Sequence, residues 1–420
     1  MTPRLLTLLL LGALSGHALA AGYATGDAGT GEPLSILPPD ALVRQTLASL
    51  PQLRASTLNI DLAAAGRARL QAGPHEWSVR AGVNRRTDQG GDRYNEQELV
   101  LERPVRWFGK AEKDAAIGNK GTLIAQAAYE DAWHEAGRNL MKDWFDALRE
   151  MAATTRLAAQ QEVTARLRTI AAKRVDAGDA AQLELLQADT ENQRVGALVQ
   201  QSQLRADQAL QLLASAYPAL PPPQSGAMPA PPAPQESPAY WFDRITGDNH
   251  ELTLAQAEAD LYLLQASRSA SERMPDPTIG VRASRERGGR ENVYGVVIAF
   301  PLPGAARAAD ASSAALKAGM ASERLAQTQL KVALAARRLI METSRSHDIW
   351  QNMQRIAQQS QRQAATMMSA YQLGEATLAE ALNTRRQAHD AALLAESAQI
   401  DALAAHARLL LDAHRLWSVD

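Results

Sequence analysis

Imidazoles, thioethers and carboxylates are the side chains of this sequence that could carry chemistry. His75, His134, His250, His347, His389, His406 and His414 are scattered. None forms the i, i+4 pair that sets two imidazoles on one helical face for a metal ion. Met367 and Met368 offer adjacent thioethers, for which filling an irregular core is the simpler use. There is no cysteine, which removes thiolate metal sites and disulfides. No nucleophile–base–acid set, glycine-rich phosphate loop or metal motif is present. The expectation is a protein that is not an enzyme, with no catalytic residues, cofactor or metal site.

Carboxylates gather at two glycines. Asp176 and Asp179 flank Gly178, and Glu375 follows Gly374. A glycine where two helices reverse supplies the positive φ that side chains resist. The acidic groups could cap helix starts or favour their N-terminal dipoles. Gathered from several copies around a pore, they could also form a gate that attracts cations. Arg174 is either a partner for one of these carboxylates or a solvated surface residue. Leu186 and Leu382 each lie eight residues past a glycine, where they would pack a hairpin or meet another protein.

These turns belong to an order of elements that occurs twice. A helical stretch over 37–70, interrupted or restarted at Pro51, precedes two alternating segments at 77–86 and 94–103. The turn PVRWFG leads into a long helix over 110–175, the Gly178 turn and a return helix to about 217. The second half repeats this with a helix over 252–274, strands over 277–285 and 294–300, and the turn PLPG. A long helix to 372, the Gly374 turn and a final helix follow. Pro104 to Gly178 is 74 positions and Pro301 to Gly374 is 73. The reading is a first repeat over 21–220 and a second over 241–420. A Pro-dense connector over 221–240 joins them, extended and lying against one structure.

Residues 1–20 read as an export signal: Arg4, an apolar stretch from Leu5 to Leu14, and the small-residue box Ala18-Leu19-Ala20. No later apolar run is long enough for a membrane helix, whereas alternating strands escape a hydropathy scan. Ser78, Arg80, Gly82 and Asn84 oppose Val79, Ala81 and Val83, and Gly280, Arg282 and Ser284 oppose Ile279, Val281 and Ala283. That alternation would set Arg80 and Arg282 in a polar barrel lumen. The second strand is less clean, and the fourth is apolar on both faces. Trp107 and Phe108 would anchor a barrel at the interface or pack its junction with the helices. Four strands cannot close a barrel, and lipid tolerates no open edge. A membrane reading therefore requires several copies, and three would give twelve strands. The other reading is two ordinary hairpins on a soluble periplasmic protein.

Each long helix would extend roughly 100 Å and needs lateral partners along its length. The fold expected is mainly α, with long antiparallel helical hairpins forming a trimeric periplasmic tube. Four strands per protomer contribute to a small membrane β-barrel of twelve strands. Aromatic content of 5% suits closely packed helices better than an all-β porin. A net charge of -2 and a pI near 6.5 give no reason to expect nucleic acid.

In this arrangement the chain resembles the TolC-type outer membrane efflux family. The strand pairs, the turns PVRWFG and PLPG, and the tips RVDAGDAAQLELLQAD and YQLGEATLAEALNTRR carry the resemblance. In the tips Gly178 aligns with Gly374, Leu186 with Leu382, and Gln187 with Asn383. The resemblance implies a homotrimer in outer-membrane lipid with a large periplasmic portion. It implies docking through a periplasmic adaptor (a membrane fusion protein) to an inner-membrane pump of the resistance-nodulation-division type. It places Gly178 and Gly374 at the end that meets the adaptor, with Leu186 and Leu382 as candidate contacts. Many pump-coupled relatives carry a lipidated cysteine after the signal, which this chain lacks. The turns and the cysteine-free start look most like the cobalt-zinc-cadmium branch, which implies passive conduction of divalent heavy-metal cations. The alternatives are a duct of the same fold for organic compounds or proteins, and a periplasmic coiled-coil scaffold or adaptor without a pore.

Overall fold

Two helices of about 100 Å dominate the computed structural model, which describes residues 36–224 and 226–419. The expected export signal at 1–20 lies outside the described residues. The chain opens with α1 (Asp40–Ser49) and α2 (Pro51–Ala72). Pro51 sits in the first turn of α2, where its missing N–H has no role to fill, so it starts a helix rather than breaking one. A hairpin of β1 (Ser78–Thr87) and β2 (Arg93–Pro104) leads to α3 (Lys110–Asp176) and its return helix α4 (Gln182–Ala216). The second half contains α5 (Pro238–Gly247), α6 (His250–Ser271), β3 (Thr278–Glu286), β4 (Glu291–Ala299), α7 (Ala305–Leu373) and α8 (Leu378–Asp412).

Each long helix is flanked along its length by two shorter ones. α2 and α4 pack on α3, α6 and α8 pack on α7, and α6 and α8 also bridge to α3. Close approach depends on small residues: a Cβ at Gly118 would lie 3.1 Å from the Arg67 backbone of α2. The largest apolar side chains are buried midway along the bundle. Leu140, Trp144, Phe145 and Leu148 of α3 lie there, with Leu403, Leu409 and Leu411 on α8. Among the described residues no helix is long and apolar enough to cross a membrane.

Two segments differ from expectation. The last strand begins at Glu291 rather than 294, because Glu286 pairs with Glu291 across a tight reversal. The expected connector over 221–240 already contains the start of α5. Ser237 caps that helix by accepting from the Tyr240 N–H, and Pro238 occupies its first turn. The rest of the connector runs against α8, where Gln399 Nε2 donates to the carbonyls of Met228 and Pro229 at 3.0 and 2.9 Å.

Candidate functional site

The four strands form one antiparallel sheet in the order β1-β2-β3-β4, so the two halves of the chain join through the β2–β3 pair. The register resolves the faces that the second and fourth strands left unclear. Arg80, Glu96, Glu98, Glu102 and Arg282 fall on one side. There Arg80 Nη2 lies 2.5 Å from Glu102 Oε1, and Arg282 Nε lies 3.1 Å from Glu98 Oε1. The acids of β2 thus neutralise the arginines of both neighbours. The opposite side carries Val79, Val83, Leu99, Val281, Tyr294, Val296 and Ile298, all exposed. An apolar face of this kind needs a cover of lipid or protein. The outer edges, β1 and β4, have no partner strand within the described residues.

Gly280 permits the central pairing. A Cβ there would lie 2.8 Å from Glu102 Cβ and 2.9 Å from the Leu101 carbonyl oxygen. Gly280→Val is therefore expected to destabilise the sheet by about 1–3 kcal/mol. Thermal unfolding would register the loss, and an unchanged unfolding profile would contradict this role for Gly280.

A buried charge cluster fixes the sheet to the helices. Lys110, the first residue of α3, is fully buried, with Nζ 2.8 Å from Asp276 Oδ1 and 3.2 Å from Glu272 Oε2. These are ion pairs without good hydrogen-bond alignment. Asp276 also accepts from the Trp107 N–H at 2.8 Å and lies 3.1 Å from His75. Nearby, Asp114 accepts from Arg106 and from Arg268, which also pairs with Glu272. Burial pushes the Glu272 and Asp276 carboxyls up, but neighbouring donors and positive charge outweigh it, Arg268 and then Lys110 for Glu272, and Lys110 with the Trp107 N–H for Asp276. Both end below the usual range. Carboxylates depressed in the folded state stabilise fully above their unfolded pKa, and that contribution disappears as pH falls through the folded one. The melting temperature is expected to be level above about pH 5 and to drop below about pH 4. Calorimetry across that window would check it, and an unchanged melting temperature down to pH 3 would contradict it.

At the opposite end of the helices the two turns lie side by side. Gly178 and Gly374 both adopt left-handed backbone, at φ 78° and 80°. Tyr371 is buried with Ala171, Ala188, Leu378 and Ala381. Its hydroxyl donates to Glu184 Oε2 at 3.2 Å, and the Arg174 guanidinium lies 5.1 Å from its ring centroid. Arg174 Nη1 is also 3.6 Å from Glu184 Oε2. The tip arginine therefore serves a carboxylate that the sequence reading did not name, and it joins the two hairpins.

Asp176, Asp179 and Glu375 are exposed, with no side-chain partner among the described residues. The capping expected of Asp179 and Glu375 does not occur. Ala181 occupies the N-cap of α4 without a side-chain bond, and α8 starts with a capping box of Thr377 and Glu380. The TLAE sequence was the signal for that box. Leu382 packs against the tip cluster, whereas Leu186 is 60% exposed and lies outside that cluster.

The histidines scattered along the sequence are in part brought together by the fold. His134, His250 and His414 are far apart in sequence, yet each offers a ring nitrogen within 4.8 Å of the others. Spacing along one helix does not reveal them, because α3, α6 and the segment after α8 each contribute one.

No known protein family matches the sequence, and no curated protein is similar to it. Its fold is shared with solved outer-membrane proteins. The CmeC outer membrane channel of Campylobacter jejuni superposes with a TM-score of 0.75 at 14% identity, over 91% of this chain and 86% of that one. The outer membrane protein VceC of Vibrio cholerae gives 0.72 at 15% identity, over 89% and 95%. CusC, described for its folding and transmembrane channel formation, gives 0.65 at 14% identity, over 88% and 91%. The chain is therefore a mostly helical protomer of the TolC-type fold with a four-stranded open sheet.

Proposed function

We propose that this chain is one protomer of a trimeric outer-membrane duct, the exit component of a tripartite efflux system. The observation that carries this reading is the sheet. It has two unpartnered edges and one exposed apolar face, and it is fixed to helices long enough to reach deep into the periplasm. Three copies would pair β1 of one chain with β4 of the next, closing twelve strands and leaving no edge in lipid. The arginine–glutamate side would then line the lumen and include Arg80 and Arg282. The duct is passive and has no catalytic step. Cargo arrives from an inner-membrane pump of the resistance-nodulation-division type through a periplasmic adaptor docked at the helical tips. Exposed Leu186, beside the Gly178 turn, is a candidate adaptor contact, as are Gly178, Gly374 and the more buried Leu382. Tip carboxylates Asp176, Asp179 and Glu375 would border the periplasmic mouth, with Arg174 holding the neighbouring hairpins.

On cargo, the neighbours in fold do not single out metal ions. Divalent heavy-metal cations rest on two turns and a cysteine-free start alone, so we favour the alternative, a duct of the same fold for organic compounds or proteins. The purified protein in a planar lipid bilayer is expected to give discrete conductance steps. A folded, water-soluble chain that carries no current would favour the scaffold reading instead. Growth of a deletion strain across organic toxicants and zinc, cobalt, cadmium and nickel then separates the cargo classes.

A further inference from the structure

We propose that His134, His250 and His414 form a resident site for one divalent transition-metal ion that favours imidazole, zinc foremost, and that this ion fastens the segment after α8 to α3 and α6. Such a site stands whether or not the chain forms a duct. It would be a structural ion at the waist of the helices, not cargo in transit. His134 lies about 36 Å along α3 from Lys110, His250 is the first residue of α6, and His414 follows the last turn of α8. The ring centroids of His250 and His414 are 4.6 Å apart, and those of His134 and His414 are 5.0 Å apart.

Three features distinguish this group from histidines packed by chance. The first is His414 itself. Its backbone is left-handed, at φ 56°, a region in which a non-glycine residue is strained. Both of its ring nitrogens are shielded from solvent without a hydrogen-bond partner among the described residues.

The second feature is an outer shell. Asp412 Oδ1 lies 3.2 Å from His134 Nε2, and Asp412 is itself held by Arg138 and Arg408. Glu130 Oε2 lies 3.4 Å from His250 Nδ1. A carboxylate on one ring nitrogen orients a histidine and makes the other nitrogen a better ligand. The third is access. Asp412 and Asn249 line an open groove of about 970 Å³ between α3, α7 and α8, adjoining the cluster.

The geometry requires only a small contraction. Zinc–nitrogen distances of about 2.0–2.1 Å place tetrahedral ligand nitrogens about 3.3 Å apart. The three ring nitrogens lie within 4.8 Å of one another, and ring rotations on binding would bring them to that separation. Three imidazoles leave a fourth position for water, and this donor set suits zinc, copper or nickel over calcium and magnesium.

The test uses the full-length protein, stripped with a chelator and titrated with zinc alone by calorimetry, with cobalt as the spectroscopic probe. One zinc per chain is expected, along with a cobalt d–d spectrum and a higher melting temperature on zinc addition. His250→Gln and His414→Gln should each abolish the spectrum and remove the thermal shift. Asp412→Asn, which weakens the anchor on His134 along with the pairs to Arg138 and Arg408, should weaken binding by about 10- to 100-fold. His389→Gln, outside the cluster, should change nothing. Two separate ligand variants keep the result readable if one folds poorly. Wild-type protein that takes up no zinc, or uptake that persists in both His250→Gln and His414→Gln, would overturn the assignment.

Discussion

Replacing Lys110 with methionine is expected to destabilise the protein by about 3 kcal/mol, the low end of the cost of breaking a buried ion pair. The low end applies because Asp276 is nearly buried whereas Glu272 is about a third exposed. Methionine retains the unbranched shape of the buried stem, so what remains is the loss of charge. The Asp276 and Glu272 carboxylates are then left with Arg268, Arg307, His75 and the Trp107 N–H to compensate. The acid limb should change as well. With Lys110 gone the carboxylates are held down less strongly, so stability should fall less between pH 5 and pH 3 than in the parent. Chemical denaturation at pH 7 and pH 4 measures both effects. Equal stability of parent and Lys110→Met at pH 7 would remove this cluster as the element that fixes the sheet to the helices.

The second large effect is expected at the tips. Tyr371→Ala removes a buried ring, the Glu184 hydrogen bond and the stacking of Arg174. Truncation of a buried aromatic side chain costs about 3 kcal/mol or more. Because Tyr371 lies in the last turn of α7, where the return helices α4 and α8 begin, that cost should fall on the local joining of the hairpins. In a duct whose mouth is bordered by these tips, the variant should raise the open probability in a bilayer while leaving the melting temperature of the waist nearly intact. Arg174→Gln should act in the same direction but more weakly, since its pairing with Glu184 is partly exposed. Unchanged conductance in both variants would show that the tip cluster does not restrain the mouth.

Much of the fold was legible because it rests on local signals. Glycines at 178 and 374, matched proline turns and long stretches poor in both residues define helices and reversals by backbone rules alone. Alternation of Val79, Ala81 and Val83 against arginine and serine did the same for β1. Strand β2 was not legible alone. Glu96, Glu98 and Glu102 make sense as one polar face only once the register sets them beside Arg80 and Arg282. Helix α5 was obscured by its proline-rich approach, although Ser237-Pro238 is a helix-start signal. The Lys110 cluster and the three histidines could not be read at all. Lys110 meets residues more than 150 positions away, and the histidines come together only when α3, α6 and the end of α8 pack side by side. Such groupings depend on tertiary structure, and no periodicity announces them.

The central claim is that one chain's sheet is closed by its neighbours. β1 and β4 are opposite edges of the sheet in a single protomer, and the sequence has no cysteine of its own. Val83→Cys can therefore be combined in turn with Tyr294→Cys, Val296→Cys or Ile298→Cys, all on the exposed apolar side. After oxidation of isolated membranes, at least one pairing is expected to give covalent dimers and trimers and nothing larger. Monomer at every pairing, or a ladder that continues beyond three chains, would contradict a closed trimeric barrel.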